Sequence, residues 1–347
     1  MLAFDNGACS GTLRLSGSIQ EANGVPLTNA SILLTKPDDQ NMQLMSMSNG
    51  NGLFNWENIG IYKNMEITPS YELKDQDRLD IADLKMLQDY IMGISQPVNF
   101  QFIAADMDED NRIRIKDLEI LKQLIITGQA INPTPWRFSC ELDTIEKLAD
   151  LQKIKKSIIL DQSNGTLTIK SVYKGDISDA NIRKTGSRSS TYLYGQLNEN
   201  EVTYYTQNSF SAEGLQMALD IPADISSYEI SSPYFTINPA TTFLDDKGKL
   251  RFIITSAFQV EADKPLFTLK AQHGTFEEIP SINDESKILL QDYQTKGLQN
   301  RIKVDDNSVI ITPNPASGSF SLIGKDVNIL DIKDISGKSV TFNLTDQ

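Results

Sequence analysis

The sequence predicts a mainly β, multidomain chain in which small β-sandwiches flank a short α-helical module. Short strand-like runs punctuated by Gly, Asn and Pro fill 12–70 and return over 191–276, whereas the stretch that follows the first set has a helical pattern. That stretch repeats itself. Asp83-Leu84-Lys85-Met86-Leu87 is echoed by Asp117-Leu118-Glu119-Ile120-Leu121, and Ile91 with Gly93 by Ile125 with Gly128. At 347 residues and 39% hydrophobic content, the chain has material for roughly two to four domains.

In the first segment, 12–70, Leu13 to Ile19 alternates, Asn23-Gly24 turns, and Ala30 to Thr35 and Met42 to Met47 read as the second and third strands. Ser48-Asn49-Gly50-Asn51-Gly52 leads into Leu53-Phe54-Asn55-Trp56, and Met65 to Ile67 closes a small sandwich. Ser16-Gly17-x-Ile19, Gly24-Val25-Pro26-Leu27-x-Asn29-Ala30-x-Ile32 and Ser48 to Phe54 resemble the carboxypeptidase-regulatory-like fold of surface-protein and collagen-adhesin repeats. That resemblance implies a module that spaces or supports its neighbours.

Segment 71–139 carries the chemistry. From Asp106 to Asp117 the chain places carboxylates at positions 1, 3, 5 and 12 of a twelve-residue loop, which curls them toward one point. Four carboxylates in so short a loop repel one another unless a cation neutralises them, and Ca²⁺ is the hard, oxygen-seeking ion for such a set. Asn111 stands where the sharp turn needs positive φ. Ile113, at position 8, should tie the loop to its partner copy through an apolar contact. A duplicated loop-helix closed by Asp at position 12 resembles the dockerin family. The resemblance implies calcium ligands on Asp106, Asp108, Asp110, Asp117 and the Arg112 backbone carbonyl. Arg114 departs from the pattern, because position 9 usually offers an oxygen directly or through water. The first copy is degraded, with Lys74 at position 3. Its residues leave two readings open: a second, weaker ion site on Asp75, Asp77, Asp80 and Asp83 in altered register, or an acidic turn that caps the Leu84 to Ile91 helix.

In 140–183, Leu142 to Leu151 reads as an amphipathic helix, followed by a hairpin of Ser157–Leu160 and Thr166–Val172 around Asn164-Gly165, packed on the helical module. Trp136 and Phe138 read as core residues covering the helices, with a sugar platform as the alternative. The order of these modules, with Trp136-Arg137-Phe138 and Lys174-Gly175-Asp176 as markers, is similar to that of secreted Bacteroidetes proteins. Beyond the polar link Lys184 to Ser190, strands are expected at Tyr192–Tyr194, Val202–Tyr205, Gly214–Leu219, Tyr234–Ile237, Leu250–Ile254 and Pro265–Leu269, forming a two-sheet sandwich or jelly roll over 191–276. Gly214 to Asp220, the Asp245-Asp246-Lys247-Gly248 turn and Leu266 to Leu269 resemble a cohesin-like domain. Joined by so short a tether, that sandwich is expected to bind the Leu84–Ile91 or Leu118–Ile126 helix face of its own chain, or else of a neighbour.

Residues 277–306 read as a linker. Ile311-Thr312-Pro313-Asn314-Pro315 to Phe320 and Asp334-Ile335-Ser336-Gly337-Lys338, within 307–347, resemble the sorting domain read by the type IX secretion machinery, truncated here. This implies secretion or display on the outer cell surface.

A net charge of −14 argues against binding nucleic acid or an anionic membrane. No apolar run is long enough to span a bilayer. Met1 to Asn6 lacks a charged, apolar leader, so the start reads as that of a mature or excised fragment. Cys9 and Cys140 either bridge or pair elsewhere. Catalysis has little support: His273 is the sole histidine, and Ser336-Gly337-Lys338-Ser339 fails as a phosphate loop because Ile332 replaces its first Gly. The expected function is a non-catalytic, calcium-stabilised surface module acting in adhesion or as a scaffold, with a surface protein or glycan among its partners. The alternative is the accessory part of a secreted hydrolase whose catalytic domain lies upstream.

Overall fold

Period-two burial builds the first sandwich. The computed structural model describes residues 12–36, 39–60, 65–72, 78–129, 135–140, 144–154, 158–159, 167–178, 190–300, 310–312 and 321–323. Strand β1 (Thr12–Glu21) buries Leu15, Gly17 and Ile19; β2 (Ser31–Lys36) buries Ile32 and Leu34. After β3 (Asp39–Met47), β4 (Leu53–Gly60) contributes Phe54 and Trp56, and β5 (Glu66–Ser70) contributes Ile67. Successive side chains of a strand point to opposite faces, so these alternate residues meet in one core.

The sandwich does not close at residue 70. Its two four-stranded sheets, ordered β4-β1-β8-β6 and β3-β2-β5-β7, are completed by β6 (Trp136–Ser139), β7 (Ile158–Ile159) and β8 (Leu167–Tyr173). Strand β8 runs parallel to β1 in the register Gly17 to Leu167. The helices are therefore an insertion between β5 and β6 and share the sandwich's core. This corrects the expected hairpin, since Ile158–Ile159 pairs with β5 in one sheet and Leu167–Tyr173 joins the other. The expected helix at 142–151 is also corrected, to a 3₁₀ turn at Leu148–Lys153.

Both long helices start and stop on local signals. In α1 (Ile81–Met92), the Asp80 side chain accepts from the Ala82 amide at 2.8 Å and Gly93 ends the helix at φ 72°. In α3 (Ile115–Thr127), Gly128 does the same at φ 64°. A short helix, α2 (Gln101–Ala105), lies between them and is buried throughout. At about one turn and a half, Gln101 followed by the apolar run Phe102 to Ala105 is too short to show a helical period in the sequence. No helix among the described residues is long and apolar enough to cross a membrane.

The second sandwich is a ten-stranded sheet rolled over its own core, with one separate strand pair beside it. It uses β9 (Ser190–Asn198), β10 (Glu201–Thr206), β11 (Phe210–Ala212), β12 (Gly214–Asp220), β13 (Ser227–Ser231), β14 (Thr242–Leu244), β15 (Lys249–Ile254), β16 (Phe258–Val260) and β17 (Pro265–His273). It is completed by β18 (Ser281–Ile282), β19 (Lys287–Leu289) and β20 (Thr295–Asn300). The order is β13-β17-β10-β9-β20-β19-β12-β15-β14, with β18 beside β12 and β11 paired with β16. Val202 and Tyr204 from one half and Met217 and Phe252 from the other meet in a single cluster, which requires the sheet to fold back on itself. Two expectations are corrected: Tyr234–Ile237 is irregular, its place taken by β13, and 277–306 is no linker but supplies β18 to β20. The Pro-Asn-Pro and Asp-Ile-Ser-Gly-Lys segments lie outside the described residues. Near them, β21 (Ile310–Thr312) pairs antiparallel with β22 (Ser321–Ile323).

The outward face of this sheet lies against the helices. Residues alternating with the core set, Ile253 and Leu289, join the cluster that holds α1 and α3. Gly214 permits the approach, since a Cβ there would stand 2.8 Å from Ile81 Cδ1. Polar contacts fix the register: Lys287 Nζ is 2.7 Å from Asp80 Oδ2, and Tyr293 donates to Asp89 at 2.8 Å. Gln216 accepts from the Ile81 amide and donates to the Glu285 carbonyl, both at 3.0 Å. Gln216→Ala should cost about 1–3 kcal/mol by leaving these buried groups unpaired. A urea midpoint equal to that of wild type would contradict this contact.

Candidate metal centre

The loop from Asp106 to Asp117 connects α2 to α3, and its own amides shape it. Glu109 and Asn111 both sit in left-handed conformation, at φ 62° and 64°. Asp106 and Asp117 are completely buried. Asp106 Oδ1 and Oδ2 each accept at 3.1 Å, from the amides of Asp110 and Asn111. Asp117 Oδ1 accepts from Met107 at 2.8 Å and Asp108 at 3.3 Å, and Oδ2 from Arg114 at 2.9 Å. Ligand oxygens of Asp106, Asp108 and Asp117 lie within 4.8 Å of one another. Oxygens on opposite sides of a calcium ion are up to about 5 Å apart, so this spacing suits one.

The donor set fits a hard cation in a second respect. Asp108 Oδ2 and Asp110 Oδ1 are buried atoms without a hydrogen-bond partner. Asp117 has less to offer than its position promises: two amides use Oδ1, which leaves a lone pair on Oδ2. Asp110 aims its other oxygen at the Arg114 guanidinium, and the Arg112 side chain is exposed. Basic side chains surround the loop. Arg137 Nη1 is 3.5 Å from Asp106 Oδ2, and Lys116 Nζ is 2.8 Å from Asp108 Oδ2.

Burial pushes the Asp106 carboxyl up to about 6, against the pull of Arg137 and the Asn111 amide, and raises Asp117 as well. A carboxyl whose folded value exceeds its ordinary 3.8 binds its proton more tightly in the folded chain. In chelator, its contribution to stability therefore falls as pH rises from about 4 to about 6, by up to about 3 kcal/mol. Asp106→Asn mimics the protonated form. Denaturation across this window should show wild type losing stability relative to the variant as pH rises, and a constant difference would contradict the assignment.

In the first copy, Asp75 and Asp77 lie outside the described residues. Asp83, at the position equivalent to Asp117, is held the same way by three amides: Oδ1 accepts from Ile177 at 2.8 Å and Ser178 at 2.7 Å, and Oδ2 from Asp80 at 2.9 Å. Burial, then the charges of Asp80 and Asp176, raise it well above the ordinary range. Asp80 is engaged by the helix cap and Lys287.

Two features were not read from the sequence. Arg78 is a buried clasp: its guanidinium makes two 2.8 Å bonds to Glu21, lies 3.4 Å from Asp176, and stacks 5.1 Å from Trp136. Lys174, also buried, reaches the calcium-type loop through Glu109 at 2.9 Å. Neither pairing has a short-range signal, since the partners are far apart in sequence. Trp136 is buried edge-on against Tyr71 and Tyr173, which closes it to a sugar. Cys140 is exposed, and Cys9 lies outside the described residues. Ser227 Oγ and His273 Nδ1 are 2.7 Å apart on an exposed strand pair.

No family model and no curated protein matches the chain. Among solved structures it is similar to the full-length major pilin SpaD from Corynebacterium diphtheriae, at 8% identity over 85% of this chain and 66% of the pilin, with TM-score 0.28. It is also similar to BcpA, the major pilin subunit of Bacillus cereus, at 7% identity over 83% of this chain and 67% of that one, also with TM-score 0.28. The chain thus spans about two thirds of the length of these pilins. At such scores the likeness carries no argument about function.

Proposed function

We propose that this chain is a calcium-stabilised, non-catalytic module of a secreted or outer-surface protein, acting in adhesion or as a structural scaffold. One observation carries the reading: the converging carboxylates of Asp106, Asp108 and Asp117 sit in a helical insert that packs on both sandwiches. An ion bound only by the folded loop stabilises that loop by mass action, and with it the junction of the two sandwiches. Asp106, Asp108, Asp110, Asp117 and the Arg112 carbonyl would hold it.

The sorting-domain-like segments around Pro313-Asn314-Pro315 and Ser336-Gly337-Lys338 support export by type IX secretion. The contact of α1 and α3 with β12, β14, β15 and β19 supports reading the dockerin-like and cohesin-like parts as partners within one chain. Light scattering in calcium over a wide concentration range tests this. A constant monomer mass is expected. A mass that climbs with concentration and collapses on chelation would replace the closed unit with a head-to-tail assembly.

A further inference from the structure

We propose that Arg114 and Lys116 are tethered counter-cations of the loop, which neutralise its carboxylates in the absence of metal and are displaced when calcium binds. This deepens the calcium reading above and rests on it. The charges nearly balance without an ion. Asp106, Asp108, Asp110 and Asp117 bring four negative charges, and Arg114, Lys116 and Arg137 face them with three positive ones. A divalent cation added to that set would leave an excess of positive charge packed around buried oxygens, which is costly. The set can accept the ion only if basic groups leave.

The geometry distinguishes which groups can leave. Arg137 comes from strand β6 and its side chain is only 12% exposed, so it is held in place. Arg114 and Lys116 are 45% and 61% exposed and stand at positions 9 and 11 of the loop itself, free to swing into water. Their contacts also leave two site oxygens without a hydrogen bond. Lys116 Nζ approaches Asp108 Oδ2 to 2.8 Å, yet that oxygen has no partner in hydrogen-bonding geometry. Arg114 is 3.8 Å from the same oxygen, and its close contact to Asp110 leaves Asp110 Oδ1 without a partner. Charge is thus compensated while coordination is not, and the ion would supply the missing coordination.

Titration calorimetry of the full chain with calcium chloride, after stripping with chelator, tests the proposal. The probes are wild type, Arg114→Gln, Lys116→Gln and the double variant, with Lys122→Gln on the same helix as a charge control. Circular dichroism checks that each is folded, and the single variants carry the comparison if the double variant is not. In the double variant Kd should fall about tenfold, from removing two exposed ion pairs that calcium otherwise has to break. The same variant should melt lower than wild type in chelator, while Lys122→Gln matches wild type in both. Calcium binding of equal affinity in wild type and double variant, with equal melting in chelator, would overturn the proposal and leave the metal site standing. No calcium binding in any variant would remove the metal site and the proposal with it.

Discussion

Arg78→Met should cost about 3–5 kcal/mol of stability, among the largest effects of any single change in this chain. Arg78, Glu21 and Asp176 have side chains only 9%, 11% and 6% exposed, so their charges are screened by little water. Removing the guanidinium takes two 2.8 Å bonds from Glu21 and the 3.4 Å ion pair from Asp176, all in the core between β1 and the segment after β8. It also removes the cation stacked on Trp136 and Tyr173. Equilibrium unfolding in urea measures the loss. A change below about 1 kcal/mol would mean that the clasp is not a buried ion-pair network.

Gly175→Ala is the second, with an expected loss of roughly 2–4 kcal/mol. Gly175 has φ 90°, a conformation that side chains rarely adopt, and a Cβ there would lie 2.9 Å from both Leu121 Cδ1 and Leu79 Cδ2. The segment cannot shift to make room. Gly175 donates to the Ala104 carbonyl at 2.8 Å, Lys174 on one side holds Glu109, and Ile177 and Ser178 on the other hold Asp83. Both loop-helix copies are thus pinned to one short stretch of chain. Thermal and urea unfolding should both report the loss, and a variant as stable as wild type would show that this stretch does not brace the insert.

Local signals made the strands and the two long helices legible: alternation in β1, β2 and β4, the Asp80 cap, and Gly93 and Gly128 at the helix ends. The twelve-residue loop was legible for the same reason, because its ligand types lie within one short run. What could not be read is long-range. Nothing near Leu167 says that it pairs parallel with Gly17, so β8 was assigned to a local hairpin instead of the first sandwich. The strands β18 to β20 are short and interrupted by polar residues, and their place is set by β12 and β9, far earlier in the chain. Arg114 and Lys116 were visible as residues, but their pairing with the loop depends on how α3 leaves it.

The central claim is that calcium holds the insert between the sandwiches, and differential scanning calorimetry with and without chelator tests it most directly. Wild type should melt higher in calcium, the gain reaching about 2.7 kcal/mol at a hundredfold excess over Kd. Asp106→Ala combined with Asp110→Ala should lose most of that gain. Equal melting temperatures for wild type with calcium and with chelator would contradict the account.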